Sequence, residues 1–305
     1  MTLVLSCSVH KEIYLVQKPV DTYHKPVMLH QVVTGLDVYP GGVYVDCTLG
    51  DGGHSYEILA KSSPDGTVLG IDADPEAIDH TRKRLEHYGG RFVAANANFG
   101  SIASLANKNG FVPVDGILFD LGLSSRQLDV ENRGFSFRRS APLDMRFGTE
   151  GITAAEMVNE WSEQSLADLI FRFGEERKSR RIARAIVNSR PLNDALELAE
   201  IISKAAGYRR GKMHPATRTF QALRIAANNE IEILRTALNQ AINILKVGGR
   251  IVTIAYHSLE DREIKHFFGN QNLKPLSKKV VKPDALEILE NRRSRSAKMR
   301  IAERI

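Results

Sequence analysis

The sequence predicts an α/β fold in which a largely parallel sheet carries an inserted block of helices. Three observations predict it. Short apolar runs alternate with amphipathic stretches between about residues 43 and 120, the pattern of strand–helix–strand units with right-handed crossovers. Between 151 and 210 the periodicity is helical only. The strand pattern returns at "GGRIVTIAYHS", residues 248–258.

Taken in order, "GVYVDCTL" (42–49) reads as a strand and "HSYEILAKS" (54–62) as a helix. "GTVLGIDAD" (66–74) is the second strand and "PEAIDHTRKRLEHY" (75–88) the second helix, with "RFVAANAN" (91–98) and "GILFDL" (116–121) two further strands. In the helical block, Ser165-Leu166-Ala167-Asp168 has the form of a capping box, and Gly174 and Gly207 are helix stops. A long helical stretch is expected from His214, with Pro215 near its start, to about Leu245. The expected organisation is an N-terminal extension (1–23), a discontinuous sheet domain (24–137 and 213–305) and a helical insertion (138–212).

The 305 residues suit one large domain or two modest ones, and 43% hydrophobic with 26% charged residues is ordinary for a globular chain. The formal charge of +6 makes a polyanionic partner plausible. Two distant cysteines, Cys7 and Cys47, give neither a disulfide framework nor a cysteine-based zinc site and agree with a cytoplasmic location. No other cluster has metal-ligand spacing. No apolar run is long enough to cross a bilayer, and the N-terminus lacks the features of a signal peptide.

The first strand ends in "VDCTLGDGGH" (45–54), where Gly50, Gly52 and Gly53 permit positive φ and close approach of a ligand to the backbone. A tight turn is the plain alternative. The dinucleotide pattern G-x-G-x-x-G fails because its third position is Ser55. Asp46, just before the loop, suits instead the ammonium and sulfonium of S-adenosylmethionine. Asp72 ends the second strand some twenty residues on, where a carboxylate accepts hydrogen bonds from ribose hydroxyls. Asp120 ends the fourth strand, so it is expected beyond the carboxyl ends of the sheet, facing the donated methyl group. Methyl transfer to an exocyclic amine needs mainly alignment. Asp120, or a carbonyl of Leu121-Gly122, is placed to bind the amine hydrogens.

These segments resemble the bacterial 16S rRNA (cytosine-N4)-methyltransferase family, known as RsmH or MraW. The resemblance is carried by "HKPVML" (24–29), "VDCTLGDGGHS" (45–55), "GIDADPEA" (70–77), "DGILFDLGLSSRQLD" (115–129), "RGFSFR" (133–138) and "PLDMR" (142–146). It continues through "GEERKSRRIARAI" (174–186), "HPATRTFQALRIAAN" (214–228), "YHSLEDR" (256–262) and "RRSRSAKMRIAE" (292–303). It implies a class I (Rossmann-like) S-adenosylmethionine methyltransferase sheet with an inserted helical substrate domain. The implied reaction is methylation of N4 of a decoding-centre cytidine, 1402 of 16S rRNA, fine-tuning the ribosomal P site. Carried over position by position, it places Gly52, Gly53 and His54 along the methionine part of the cofactor, Asp72 at the ribose, Phe99 against adenine, and Asp120 and Gln127 at the cofactor. The Asp-Pro-Pro-Tyr motif of other amino-methyltransferases stands here as Asp120-Leu121-Gly122-Leu123, without the stacking aromatic.

His257 has two readings: part of a helix start opened by Ser258, or a group at the same sheet edge as Asp120, near the target base. Arg177, Lys178, Arg180, Arg181 and Arg184, then Arg209, Arg210, Lys212 and Arg218, with "NRRSRSAKMR" (291–300), are either solvated faces or phosphate contacts. RNA contact is the reading adopted for the group, with Arg180, Arg181, Arg218 and His257 as its candidates. The expected partner is 16S rRNA or the small ribosomal subunit, with no membrane; monomer and homodimer both remain open. Within methyltransferases, a DNA or other RNA amino-methyltransferase is the nearest alternative. A nicotinamide dehydrogenase is disfavoured by Ser55, and a non-catalytic RNA-binding module by the cofactor constellation.

Overall fold

The computed structural model describes residues 25–123, 133–207, 214–277 and 279–305. Among the described residues, seven strands form one sheet in the order β3-β2-β1-β4-β5-β7-β6. They are β1 (Val43–Asp46), β2 (Thr67–Asp72), β3 (Phe92–Asn96), β4 (Val114–Asp120), β5 (Leu245–Ala255), β6 (Leu273–Pro275) and β7 (Lys298–Arg304). The first five run parallel, and β7 runs antiparallel to both β5 and β6. β4 is buried from Val114 to Phe119 and emerges only at Asp120, as expected of a central parallel strand covered on both faces. The sheet reverses its order of progression between β1 and β4, which leaves a crevice beyond their carboxyl ends.

Helices cover both faces. On one lie α1 (Leu29–Leu36) and α2 (Gly53–Lys61), burying Val32, Leu36, Ile58 and Leu59 against Val68, Leu118 and Val252. α3 (Pro75–Arg84) follows β2; the Asp74 carboxylate accepts from the Glu76 N–H, Pro75 occupies the first turn, and Arg82, Lys83 and Arg84 lie in the last. That arrangement suits the helix dipole at both ends. On the other face α4 (Ile102–Lys108) and α10 (Glu230–Ile244) bury Ile102, Leu234, Leu238 and Ile242 against Ile71, Ile117 and Ile251.

The helical layer contains α5 (Ala154–Glu160), α6 (Glu163–Gly174), α7 (Ser179–Asn188), α8 (Ala195–Ala206) and α9 (Ala216–Ala227). Its own apolar core runs from Phe135 to Leu223 and includes Met157, Leu166, Ile170, Ile182, Ile186, Leu198 and Phe220. Thr153 and Glu156 form a capping box at α5. α6 starts earlier than the sequence pattern suggested: Ser162, whose hydroxyl accepts from the Ser165 N–H, is the cap. Gly207 ends α8 at φ 73. Gly174 is the last residue of α6, and the left-handed turn falls on Glu175 at φ 50.

The long helical stretch expected from His214 to Leu245 is made of two helices. α9 ends before Asn228, and α10 starts after Asn229, which has φ 49. Asparagine is one of the few side chains that tolerates this conformation, and apolar periodicity passes through such a break unchanged. α11 (Ser258–Phe267), α12 (Ala285–Glu290) and the edge strands β6 and β7 complete the chain. Among the described residues, no helix is long and apolar enough to cross a membrane.

Candidate active site

A cavity of about 510 Å3 opens at the crevice between β1 and β4, within the range of small-molecule sites. The loop after β1 supplies Thr48, Leu49, Gly50 and Gly53, and the ends of β2 and β4 supply Asp72 and Asp120. Phe99 and Leu234 form apolar wall, and Phe147, Thr217 and Arg224 reach it from the helical layer.

Gly52 caps α2 with φ 72, and a Cβ there would lie 2.4 Å from Thr81 Cγ2. A Cβ on Gly53 would lie 2.3 Å from the Pro26 ring. The strap Pro26–Met28 therefore occupies the space of a side chain and holds the start of α2 close. His54 is buried with Nε2 3.0 Å from the Val27 carbonyl oxygen. A carbonyl only accepts, so Nε2 carries the hydrogen and Nδ1 faces Asp120 Oδ2 at 3.9 Å.

Asp72 is tied into the loop. Its Oδ2 accepts from the Gly50 N–H at 2.8 Å and its Oδ1 from the Asp74 N–H at 2.9 Å. Burial pushes its carboxyl up to about 6, against the pull of those two bonds. Phe99 opens the turn after β3 and packs edge-on against Phe119, centroids 5.9 Å apart.

Asp120 accepts a 2.8 Å bond from the Tyr256 hydroxyl at Oδ1, and its own N–H donates to Thr48 Oγ1 at 2.7 Å. Burial raises the Asp120 carboxyl above its ordinary range, while the His54 imidazole and the Tyr256 bond pull it down. Gln127 lies outside the described residues.

The reading of Asp46 is corrected. It is fully buried beneath the loop, where Oδ2 accepts from Ser55 Oγ at 2.8 Å and Oδ1 from the Thr48 N–H at 3.2 Å. It braces the loop and is not among the described residues lining the cavity. The serine that breaks the dinucleotide pattern is its hydrogen-bond donor.

His257 is itself the cap of α11: Nδ1 accepts from the Glu260 N–H at 3.4 Å, and the Glu260 carboxylate accepts from the Tyr256 and His257 N–H groups. The helix start is therefore one residue before the serine expected to open it, and His257 also follows the end of β5, which pairs with β4 up to Asp120. Arg180 and Arg181 are exposed on α7 and are not among the described residues lining the cavity. Arg218 donates to the Glu175 carbonyl at 3.1 Å and closes the end of α6. In the C-terminal basic run, Arg300 pairs with Asp261 at 2.8 Å, so that arginine is structural.

Sequence reasoning missed one wall of the cavity. Arg224 grips Glu230 with two bonds of 2.8 and 2.9 Å. Glu230, His257 and Glu260 approach within 4.8 Å of one another. Both Glu230 oxygens are committed to Arg224 and one Glu260 oxygen to the Tyr256 and His257 backbone, so the group works as an ion-pair and cap network. The only sequence signal for it was a pair of acids after the α9 break and in the "YHSLEDR" helix start.

The donor set fits S-adenosylmethionine. Two carboxylates, Asp72 and Asp120, share a cavity with apolar walls, which suits a ligand with vicinal hydroxyls, an aromatic base and a positive sulfur. When bound, that cofactor supplies an electrophilic methyl group.

The profile of the MraW methylase family matches residues 21–305. The ribosomal RNA small subunit methyltransferase H of Dehalococcoides mccartyi (strain ATCC BAA-2266) is 51% identical over 302 residues, covering 92% of this chain and 86% of its own. That of Thermomicrobium roseum is 48% identical over 312 residues, covering 95% and 96%. Among solved structures, SMU.1697c of Streptococcus mutans in complex with SAH covers 93% of this chain and all of its own at 12% identity and a TM-score of 0.46. With one family profile spanning nearly its whole length, the chain belongs to the MraW methylase family, S-adenosylmethionine-dependent enzymes.

Proposed function

We propose that the protein methylates N4 of a cytidine in the decoding centre of 16S rRNA, at the small ribosomal subunit in the cytoplasm. The observation that carries this reading is Asp120. It is a carboxylate at the end of β4, at the crevice, lining the same cavity as the loop and Asp72. An exocyclic amine there can donate a hydrogen to Asp120, which turns its lone pair toward the methyl carbon. With the cofactor bound, its methyl group would be the one the nitrogen lone pair takes up; Asp120 would hold the amine hydrogen during alignment, and the methylated nitrogen would afterwards release a proton. The names of the relatives supply the RNA.

The helical layer, expected to span residues 138–212 but sharing its core with Phe135 and with α9 (Ala216–Ala227), is the proposed substrate-recognition part, with the sheet domain on either side of it. Arg180 and Arg181 present exposed guanidinium groups there for phosphates. The target base has to be unstacked to reach a cavity of this kind. Labelled methyl offered in parallel to small subunits lacking the modification, free 16S rRNA and DNA tests the reading. Label in the ribosomal acceptors supports it; label in DNA alone replaces it with a DNA amino-methyltransferase.

A further inference from the structure

Asp120 has two oxygens and two different surroundings. Oδ1 accepts from Tyr256 at 2.8 Å, whereas among the described residues Oδ2 faces His54 Nδ1 at 3.9 Å. Tyr256 follows directly on β5, whose Ile254 is in register with Asp120. Its N–H is held by Glu260 at 2.8 Å, so both ends of the residue are anchored. Its ring passes so close to Gly122 that a Cβ on that glycine would lie 2.8 Å from Tyr256 Cε2. The residue after Asp120-Leu121 is therefore a glycine because the tyrosine ring occupies the side-chain space. The aromatic absent from the Asp120-Leu121-Gly122-Leu123 motif reaches this corner from the neighbouring strand.

We propose that Tyr256 is a positioning residue for methyl transfer: its hydroxyl pins Oδ1 of Asp120 and leaves Oδ2 as the acceptor for the substrate amine. The inference rests on the proposed reaction, in which Asp120 meets that amine. A pinned carboxylate keeps one rotamer and one free oxygen; an unpinned one can turn Oδ1 into the cavity or away from it.

Among the described residues, the groups that bear on Asp120 are His54 on α2, Tyr256, Asp46 on β1 and Glu260 on α11. The Tyr256 bond lowers the Asp120 carboxyl, and Asp46 and Glu260 raise it. Removing the hydroxyl therefore makes Asp120 titrate at higher pH. A reaction that needs ionised Asp120 then loses activity at higher pH too.

Tyr256→Phe is compared with wild type in cofactor affinity, in kcat and kcat/KM against pH on the acceptor that wild type labels, and in the Asp120 carboxyl titration followed by 13C chemical shift. The expected result is a kcat lowered about tenfold or more, as for a lost bond to a charged group. The acid limb of the profile and the Asp120 midpoint should both move to higher pH, with cofactor affinity changed less than about threefold. An unchanged kcat and an unmoved Asp120 midpoint in a folded variant overturn the proposal, as does a loss confined to cofactor affinity. If Tyr256→Phe does not fold, Gly122→Ala displaces the ring while keeping the phenol, and the same loss and the same shift are required of it. The titration needs no turnover, so it reads the Tyr256–Asp120 link even if wild type labels no cytidine. That second outcome overturns the proposed function instead.

Discussion

Asp72 carries a prediction in which binding and stability move in opposite directions with pH. Its carboxyl is pushed up to about 6 by burial, from an ordinary 3.8. A difference of that size corresponds to about 3 kcal/mol, at about 1.36 kcal/mol per tenfold change in proton affinity. An acid raised on folding binds its proton more tightly in the folded state. The apoprotein therefore gains up to about 3 kcal/mol from this group as pH falls from about 6 toward 4, and that gain is absent above 6. The cofactor needs the opposite form, because ribose hydroxyls donate to an ionised carboxylate. One pH unit below 6 the protonated form outnumbers the ionised one by about ten to one, so affinity at pH 5 should be roughly tenfold weaker than at pH 8. Asp72→Asn should bind S-adenosylmethionine roughly 10- to 100-fold more weakly at pH 8, the worth of a hydrogen bond to a charged group. The variant should also show no pH dependence across this window. Titration calorimetry at pH 5, 6.5 and 8 gives both quantities. Wild-type affinity that is flat across the window, or a variant that binds like wild type, refutes the ribose role of Asp72.

Other consequences follow from the packing around the cavity. Asp120→Ala should lose at least a hundredfold in kcat while its urea midpoint moves little, because a buried carboxyl with a raised pKa adds little to stability; equal losses in both would make the residue structural. Gly53→Ala drives a methyl group into Pro26, so a loss of about 1–3 kcal/mol is expected in denaturant unfolding together with weakened cofactor binding. Arg224→Met should cost about 3–5 kcal/mol, since it leaves the Glu230 carboxylate, only 13% exposed, without its partner. Adding Glu230→Leu should restore most of that loss, and a double-mutant cycle measures the coupling.

The strand-and-helix alternation made the sheet legible because β1, β2 and β4 are short, apolar and each end on an acid. What those acids do was less legible. Asp46, Asp72 and Asp120 each end one of three neighbouring strands, yet Asp46 is level with Gly70 and Leu118 and bonds Ser55 under the loop, while the other two line the cavity. An offset of two residues keeps the same face of the sheet but sets Asp46 deeper, beneath the loop, and no local pattern records the register between strands. The helix break at Asn229 was invisible because the apolar period continues through it. Tyr256 was in view within "YHSLEDR", but its partner stands 136 positions earlier. Only the pairing of β4 with β5 brings the two together.

The most direct test of the central claim is chemical. The purified protein is given S-adenosylmethionine with a labelled methyl group and small ribosomal subunits that lack the modification, and the digested RNA is resolved into nucleosides by mass spectrometry. Label is expected in N4-methylcytidine, lost with Asp120→Ala. Label in any other nucleoside, or none from a folded protein that binds the cofactor, contradicts the claim.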